Sequence, residues 1–298
     1  MTSERSTTAD EVFEAERTRL RALAYRMLGT PDDADDVVQD TWLRWAASDR
    51  STIGEPAAWL TTVTTRLAID RLRSARHRRE VYVGPWLPEP LPPVDDDPFA
   101  AAATAESLTL GFLTVLERLE PVERAVFLLH DVFGYPFAEV AATVERTEAA
   151  ARQIAHRARA RVRAERPRID ADPDHAQELA DAFLGAVVLG DLDALRRMLT
   201  EDVVHLADGG PDRHAARRPV IGPDRVARFL INIAARLAPG AQVEAVRVNG
   251  EHGWYITVDG EPESVLVPSF RGGLVARVLV VRNLDKLARF HAAWLADH

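Results

Sequence analysis

The side chains best equipped for recognition chemistry are Arg152 and Gln153. A guanidinium fork and a carboxamide can pair with guanine and adenine edges respectively. They sit in Thr147–Arg168, TEAAARQIAHRARARVRAERPR. Thr147 suits a helix N-cap, because its hydroxyl can accept a bond from an early backbone N–H. Ala151, Ile154, Ala158 and Val162 then fall on one face at spacings of three and four. Arg152, Gln153, His156, Arg157, Arg159 and Arg163 occupy the other, and Glu148 lies in the first turn. Upstream, Pro136–Val144 reads as a short helix with Phe137, Val140, Ala141 and Val144 inward, and Glu145, Arg146 and Thr147 join the two. A scaffold helix, a tight turn and a basic helix with a small inner face make a helix-turn-helix, whose second helix enters a major groove.

A second basic cluster closes a long helical stretch beginning at Pro56. Arg66–Glu80 holds six arginines against two acids, and Arg146–Arg168 holds eight against two. The whole chain of 298 residues carries a net charge of −9. Nucleic acid responds to the local field within a Debye length of about 10 Å rather than to the sum. Of the 37 basic residues only Lys286 is a lysine, so arginine number alone is a weak sign of phosphate binding. With no cysteine, disulfides and thiolate metal sites are excluded. No apolar run approaches the ~20 residues of a membrane span, and MTSERSTTADEVFEAER is unlike a signal peptide. A soluble cytoplasmic protein without membrane, metal or cofactor is expected.

These basic helices need scaffolds. Glu11–Met27 reads as a helix, stopped by Gly29-Thr30-Pro31. DDADDVVQDTWLRWAAS follows, with Val38, Trp42 and Trp45 in a stripe and acids at the positive end of the dipole. In PAAWLTTVTTRLAIDRLRSARHRRE, Leu60, Val63 and Leu67 mark one face, while Ile69 and Leu72 point elsewhere. VYVGPWLPEPLPPVDDDPFA has six prolines from Pro85 to Pro98, which favours extended chain. Its Tyr82, Trp86 and Leu87 suggest that it docks on something. Helices resume at Thr104 and Pro121. From Pro173 the pattern changes to helices, a strand VVHL, a helix from Pro223 and four β-like runs. Turns at Asn249-Gly250, Asp259-Gly260 and Gly272-Gly273 separate the runs and are hairpin signals. The expected class is multidomain: all-α domains, then an α+β domain with a curved antiparallel sheet.

The order DDADDVVQDTWLRW, PAAWLTTVTTRLAIDRLRSARHRR, then LERLEPVERAVFLLHDVFGYPFAEVAATVERTEAAARQIAHRARARVR resembles the extracytoplasmic-function sigma factors of bacterial RNA polymerase over roughly residues 8–166. That resemblance implies a region-2 helical domain at 8–80, a Pro-rich linker at 81–103 and a region-4 helix-turn-helix domain at 104–168. It implies polymerase core and promoter DNA as partners. Asp36, Gln39 and Asp40 would meet the core enzyme. Arg71, Arg73, Arg76, Arg78 and Arg79 would meet the start-proximal promoter element, and Thr147, Glu148, Arg152, Gln153, His156 and Arg157 the distal one. The mechanism would be binding, with melting driven by preference for the open strand, and with no catalytic residue.

Residues 174–298 resemble the SnoaL-like branch of the cone-shaped NTF2-like fold, an extension carried by one subgroup of these sigma factors. Three details fit that subgroup. YVGPWLPEPL resembles its linker signature, with Trp86, Leu87 and Pro88. Asp208-Gly209-Gly210 resembles its Asp-Gly-Gly-Gly turn, with Pro211 replacing the last glycine. NLDKL resembles its Asn-Pro-Asp-Lys-Leu motif, with Asn283, Asp285 and Lys286 kept and Leu284 replacing proline. The resemblance implies regulation in cis, with linker and NLDKL segment packed between the domains and no separate anti-sigma partner. Two alternatives remain: a C-terminal module that binds an unknown small ligand or acts as a cyclase or isomerase through His205, Asp208 or His214, and a stand-alone helix-turn-helix repressor.

Overall fold

The computed structural model describes residues 9–79, 82–92, 108–165 and 173–298, and the chain divides into two compact units. The first unit holds α1 (Ala9–Leu28), α2 (Pro31–Ala47), α3 (Pro56–Arg79), α5 (Pro121–Phe127), α6 (Phe137–Thr143) and α7 (Glu148–Glu165); α4 (Leu110–Leu116) falls between the units, its first turn in the second. Phe13, Leu20, Leu23 and Met27 of α1 are buried, as are Val37, Val38 and Trp45 of α2 and Leu60 and Leu72 of α3. The face of α3 differs from expectation. Thr61, Thr64, Thr65 and Ala68 are buried in its centre, whereas Val63 and Leu67 are only partly covered. Threonine tolerates this burial because its hydroxyl bonds back into the helix: Thr61 to Ala57 O at 2.7 Å and Thr65 to Thr61 O at 2.8 Å.

The region-2-like and region-4-like helices pack within this one unit. Arg66 of α3 donates to the carbonyls of Thr143 and Ala142 at 2.9 and 3.0 Å, and the hydroxyls of Thr62 and Thr143 lie 3.1 Å apart. Buried Arg124 of α5 donates to Met27 O at the end of α1 and to Glu117, at 2.8 and 2.7 Å.

The second unit is an α+β domain. It contains α8 (Pro173–Leu189), α9 (Leu192–Arg197), α10 (Pro223–Ala234), α11 (Leu284–Asp297) and strands β1 (Leu199–Asp208), β2 (Val220–Ile221), β3 (Ala241–Val248), β4 (Glu251–Val258), β5 (Glu261–Arg271) and β6 (Leu274–Val281). The sheet order is β2-β1-β6-β5-β4-β3, with β1 and β6 parallel and the other pairs antiparallel. At the turn of each hairpin from β3 to β6, both central residues have positive φ: Asn249-Gly250, Asp259-Gly260 and Gly272-Gly273. That is the geometry matching strand twist.

Strand periodicity of two gives the sheet two apolar faces. Val203, Ala207, Trp254, Leu266, Val278 and Val280 pack with α8, α9 and α10 on one face. Val248, Tyr255, Val265, Val267, Leu279 and Val281 pack on the other with α11, Leu87 and Leu110. There the Glu251 carboxylate accepts the Leu110 N–H at 2.9 Å and also the Gly111 N–H. Burial dominates and pushes its pKa from 4.5 up to about 7. The folded domain therefore binds a proton that the unfolded chain releases, so this residue costs stability as pH rises from about 4.5 to 7. Glu251→Gln is expected to stabilise the domain more at pH 8 than at pH 5, with a difference of up to about 3 kcal/mol. Urea unfolding at the two pH values checks it, and equal effects would refute the assignment.

Candidate nucleic-acid interface and linker clamp

In the first unit the basic helix α7 forms as the cap chemistry requires. The Thr147 hydroxyl accepts the Ala150 N–H at 3.2 Å. The preceding turn uses Glu145 at φ 56, a left-handed position that glycine often fills. The inward stripe is Ala151, Ala155, Ala158 and Val162; Ile154 is only partly buried. Three alanines let α7 sit close on its scaffold. Arg152, Gln153, His156 and Arg157 are all exposed on the opposite side. Arg152 lies over the Phe137 ring at 4.6 Å and donates to Glu148, which pre-orients its fork.

Along α3, Arg71 bridges Asp33 at 2.7 Å and Asp36 at 2.6 Å, both on α2. It therefore links a residue expected on DNA to one expected on polymerase. Arg73 is exposed and pairs with Asp70 at 3.1 Å. The side chains of Arg76, Arg78 and Arg79 lie outside the described residues. On α2, Asp36, Gln39 and Asp40 form one exposed face, and Leu43 continues it at 57% exposure. Sequence reading missed Leu43; its signal was an apolar residue at i+3 and i+4 from the polar trio.

The second unit brings the three motif segments together. Asp208, at 0% exposure, ends β1 on the face opposite His205. Its carboxylate accepts from the Tyr82 hydroxyl at 2.5 Å, Leu87 N–H at 2.9 Å, Gly210 N–H at 3.1 Å and Lys286 Nζ at 2.7 Å. Lys286, 6% exposed, also donates to Leu87 O and stands over the Trp86 ring at 3.8 Å. Asn283 caps α11 by accepting the Asp285 N–H at 3.1 Å and donates to Tyr82 Oη at 2.8 Å. Desolvation first, and the Asp208 charge after it, push the Tyr82 phenol up, so it stays a donor. Gly210 has φ 62, and a Cβ there would meet the Asn283 side chain at 2.7 Å. Four residues after Leu87, Leu91 exchanges two bonds with Asn249: N–H to Oδ1 at 2.9 Å and O to N–H at 3.0 Å.

Residues 82–92 are thus strapped to the sheet domain at both ends. Leu87, Pro88 and Leu91 are buried there. Lys286 is the partner of Asp208, while Asp285 is exposed in the first turn of α11. Leu284 stands at the first helical position, where proline is tolerated but not required. Tyr82 was expected only to dock and Asn249 only to form a turn; their bonds to Asp208, Asn283 and Leu91 were not foreseen.

On the other face of β1, His205 lines a cavity and is 2% exposed. His214 is exposed, and its carbonyl accepts from Arg282. The candidate acid–base residues His205 and Asp208 therefore do not converge. Among the described residues no group of acidic and histidine side chains could hold a metal ion. No described helix is long and apolar enough to cross a membrane.

Residues 12–78 match Sigma-70 region 2 and residues 110–162 match Sigma-70, region 4. The chain belongs to the ECF RNA polymerase sigma factors. It is 43% identical to the ECF RNA polymerase sigma factor SigJ of Mycobacterium tuberculosis, covering 92% of this chain and 91% of that protein. It is 31% identical to the probable ECF RNA polymerase sigma factor SigI of the same species, over 90% and 91%. The crystal structure of M. tuberculosis SigJ superposes with a TM-score of 0.75 at 39% identity, over 93% of this chain and 97% of that one.

Proposed function

We propose that this sigma factor binds RNA polymerase core and directs promoter recognition, and that its C-terminal domain regulates initiation in cis through the linker clamp. α7 reads the distal element in the major groove through Arg152 and Gln153, while Thr147, Glu148, His156 and Arg157 fix its register. The basic end of α3, with Arg71, Arg73, Arg76, Arg78 and Arg79, meets the proximal element and the melted strand by phosphate neutralisation. Asp36, Gln39, Asp40 and Leu43 form the face for the core enzyme. No residue makes or breaks a covalent bond. The contacts of Arg66 with Thr143 and Ala142 belong to a resting state that must open for two separated elements to be read.

The observation that carries the regulatory part is the buried Asp208–Lys286 pair closing on Leu87. Eleven residues, 82–92, could extend about 37 Å if free. Fastened to the sheet domain, they no longer lengthen the tether between the promoter-binding helices. Such control in cis removes the need for a separate anti-sigma partner. An enzymatic role is disfavoured because the Asp208 carboxylate is filled by four donors and His205 faces away from it. A stand-alone repressor would leave α1 to α3 without a task.

The test is run-off transcription with core polymerase on the gene's own upstream region. Full-length protein should support initiation, and a version ending at Arg168 should change its level several-fold. Equal levels would reject regulation by the C-terminal domain, and no initiation by either would reject the promoter reading.

A further inference from the structure

The clamp uses only one face of the sheet. The other face, together with α8 and α10, encloses a cavity of about 730 Å³, within the range of small-molecule sites. Its walls are apolar, among them Val187, Phe229, Ile256, Leu266 and Val280, and its mouth carries exposed Ile233. Like Ser264, 5% exposed, His205 is a polar group set into this lining. Its ring stands edge-on to Phe229 at 4.9 Å, and Nδ1 is buried without a hydrogen-bond partner. Burial pushes its pKa down to about 4, so at neutral pH the ring is uncharged and offers one donor and one acceptor. A buried polar atom left unpaired is destabilising, and a ligand hydroxyl or carbonyl near the ring would offset this.

We propose that this cavity binds an uncharged, largely apolar small molecule bearing a hydroxyl or carbonyl group that His205 recognises. The charges at the rim, Arg213, Arg236 and Arg282 with Glu261 and Glu263, nearly balance and give an anion little advantage. Arg213 already donates to Glu263 at 3.0 Å, and Arg282 donates to Glu263 and to His214 O. An entering carboxylate would compete with Glu263 for these guanidiniums and would lose its hydration against apolar walls. A neutral ligand incurs neither cost. The proposal deepens the regulatory reading above and rests on it for what binding does, not for binding itself. β1 connects the two faces, because His205 points to the cavity and Asp208, three residues on, to the clamp.

The experiment titrates full-length protein with Nile red, an uncharged carbonyl-bearing dye, and with anionic anilinonaphthalene sulfonate for comparison. Saturable, blue-shifted Nile red emission is expected, with the anionic dye at least about tenfold weaker. Ala207→Trp, which fills the cavity, should abolish binding. Ile233→Trp, at a half-exposed position that folding tolerates, should weaken it severalfold by closing the mouth. His205→Phe should weaken it about tenfold, the effect of one lost hydrogen bond. Nile red emission that does not saturate, or that both tryptophan variants leave unchanged, would overturn the proposal. So would tighter binding of the anionic dye. A concentration-dependent dimer that excludes Nile red would also overturn it, in favour of a second copy over the mouth. No polymerase or DNA is present, so failure here is distinct from failure of cis regulation, which run-off transcription reads.

Discussion

Lys286→Met is expected to destabilise the C-terminal domain by about 3–5 kcal/mol and to release the linker. Removing one member of a buried ion pair leaves the other charge uncompensated, and that cost exceeds the worth of the pair itself. Here the stranded group is Asp208, which has no exposure to water and would keep three neutral donors: the Tyr82 hydroxyl and the N–H groups of Leu87 and Gly210. Loss of the ammonium also removes the bond to Leu87 O and the cation over Trp86. Amide exchange at Leu87 should therefore accelerate by two to three orders of magnitude, because local opening now costs less. Asp208→Asn in the Lys286→Met background should recover part of the stability by removing the orphaned charge. Unchanged exchange at Leu87 would mean that the linker is held by apolar burial of Leu87 and Leu91 alone.

The second large effect is expected on α7. Arg152→Ala with Gln153→Ala should lower initiation from the cognate promoter by about two orders of magnitude. A good bidentate base contact is worth about 1–3 kcal/mol of discrimination, and separate positions add roughly. Both side chains are exposed, so the melting temperature of the first unit should hardly move. Competition binding against non-cognate duplex separates this from general loss of phosphate affinity. Equal losses on both duplexes would show that these residues position the helix rather than read bases.

Much of this architecture is legible in the chain because its signals are local. Thr147 declares its cap, and Asn249-Gly250, Asp259-Gly260 and Gly272-Gly273 declare their turns. What the sequence leaves open depends on distant partners. Thr61, Thr64 and Thr65 look polar, yet they fill the centre of α3, because Thr61 and Thr65 bond back into the helix and Thr64 meets the Thr41 hydroxyl of α2 at 3.1 Å. Tyr82 and Asp208 are 126 residues apart and meet only after the sheet has formed. Arg124 looks like a surface base and is buried by its bond to Met27 O. The clamp motifs were visible as segments, and the resemblance placed them between domains. Their contacts with one another lie inside the C-terminal unit. A pattern of residue types does not specify which of several apolar surfaces a proline-rich strap will choose.

In the proposed regulation the Asp208–Lys286 pair transmits the C-terminal domain's influence to the promoter-binding helices. Its most direct test is protein-dependent run-off transcription with Lys286→Met beside the wild type and the version ending at Arg168, at matched core occupancy. The predicted result is that Lys286→Met shifts initiation in the same direction as the truncation. Wild-type levels from Lys286→Met, with the truncation still altered, would contradict it and would place the regulatory contact elsewhere in the domain.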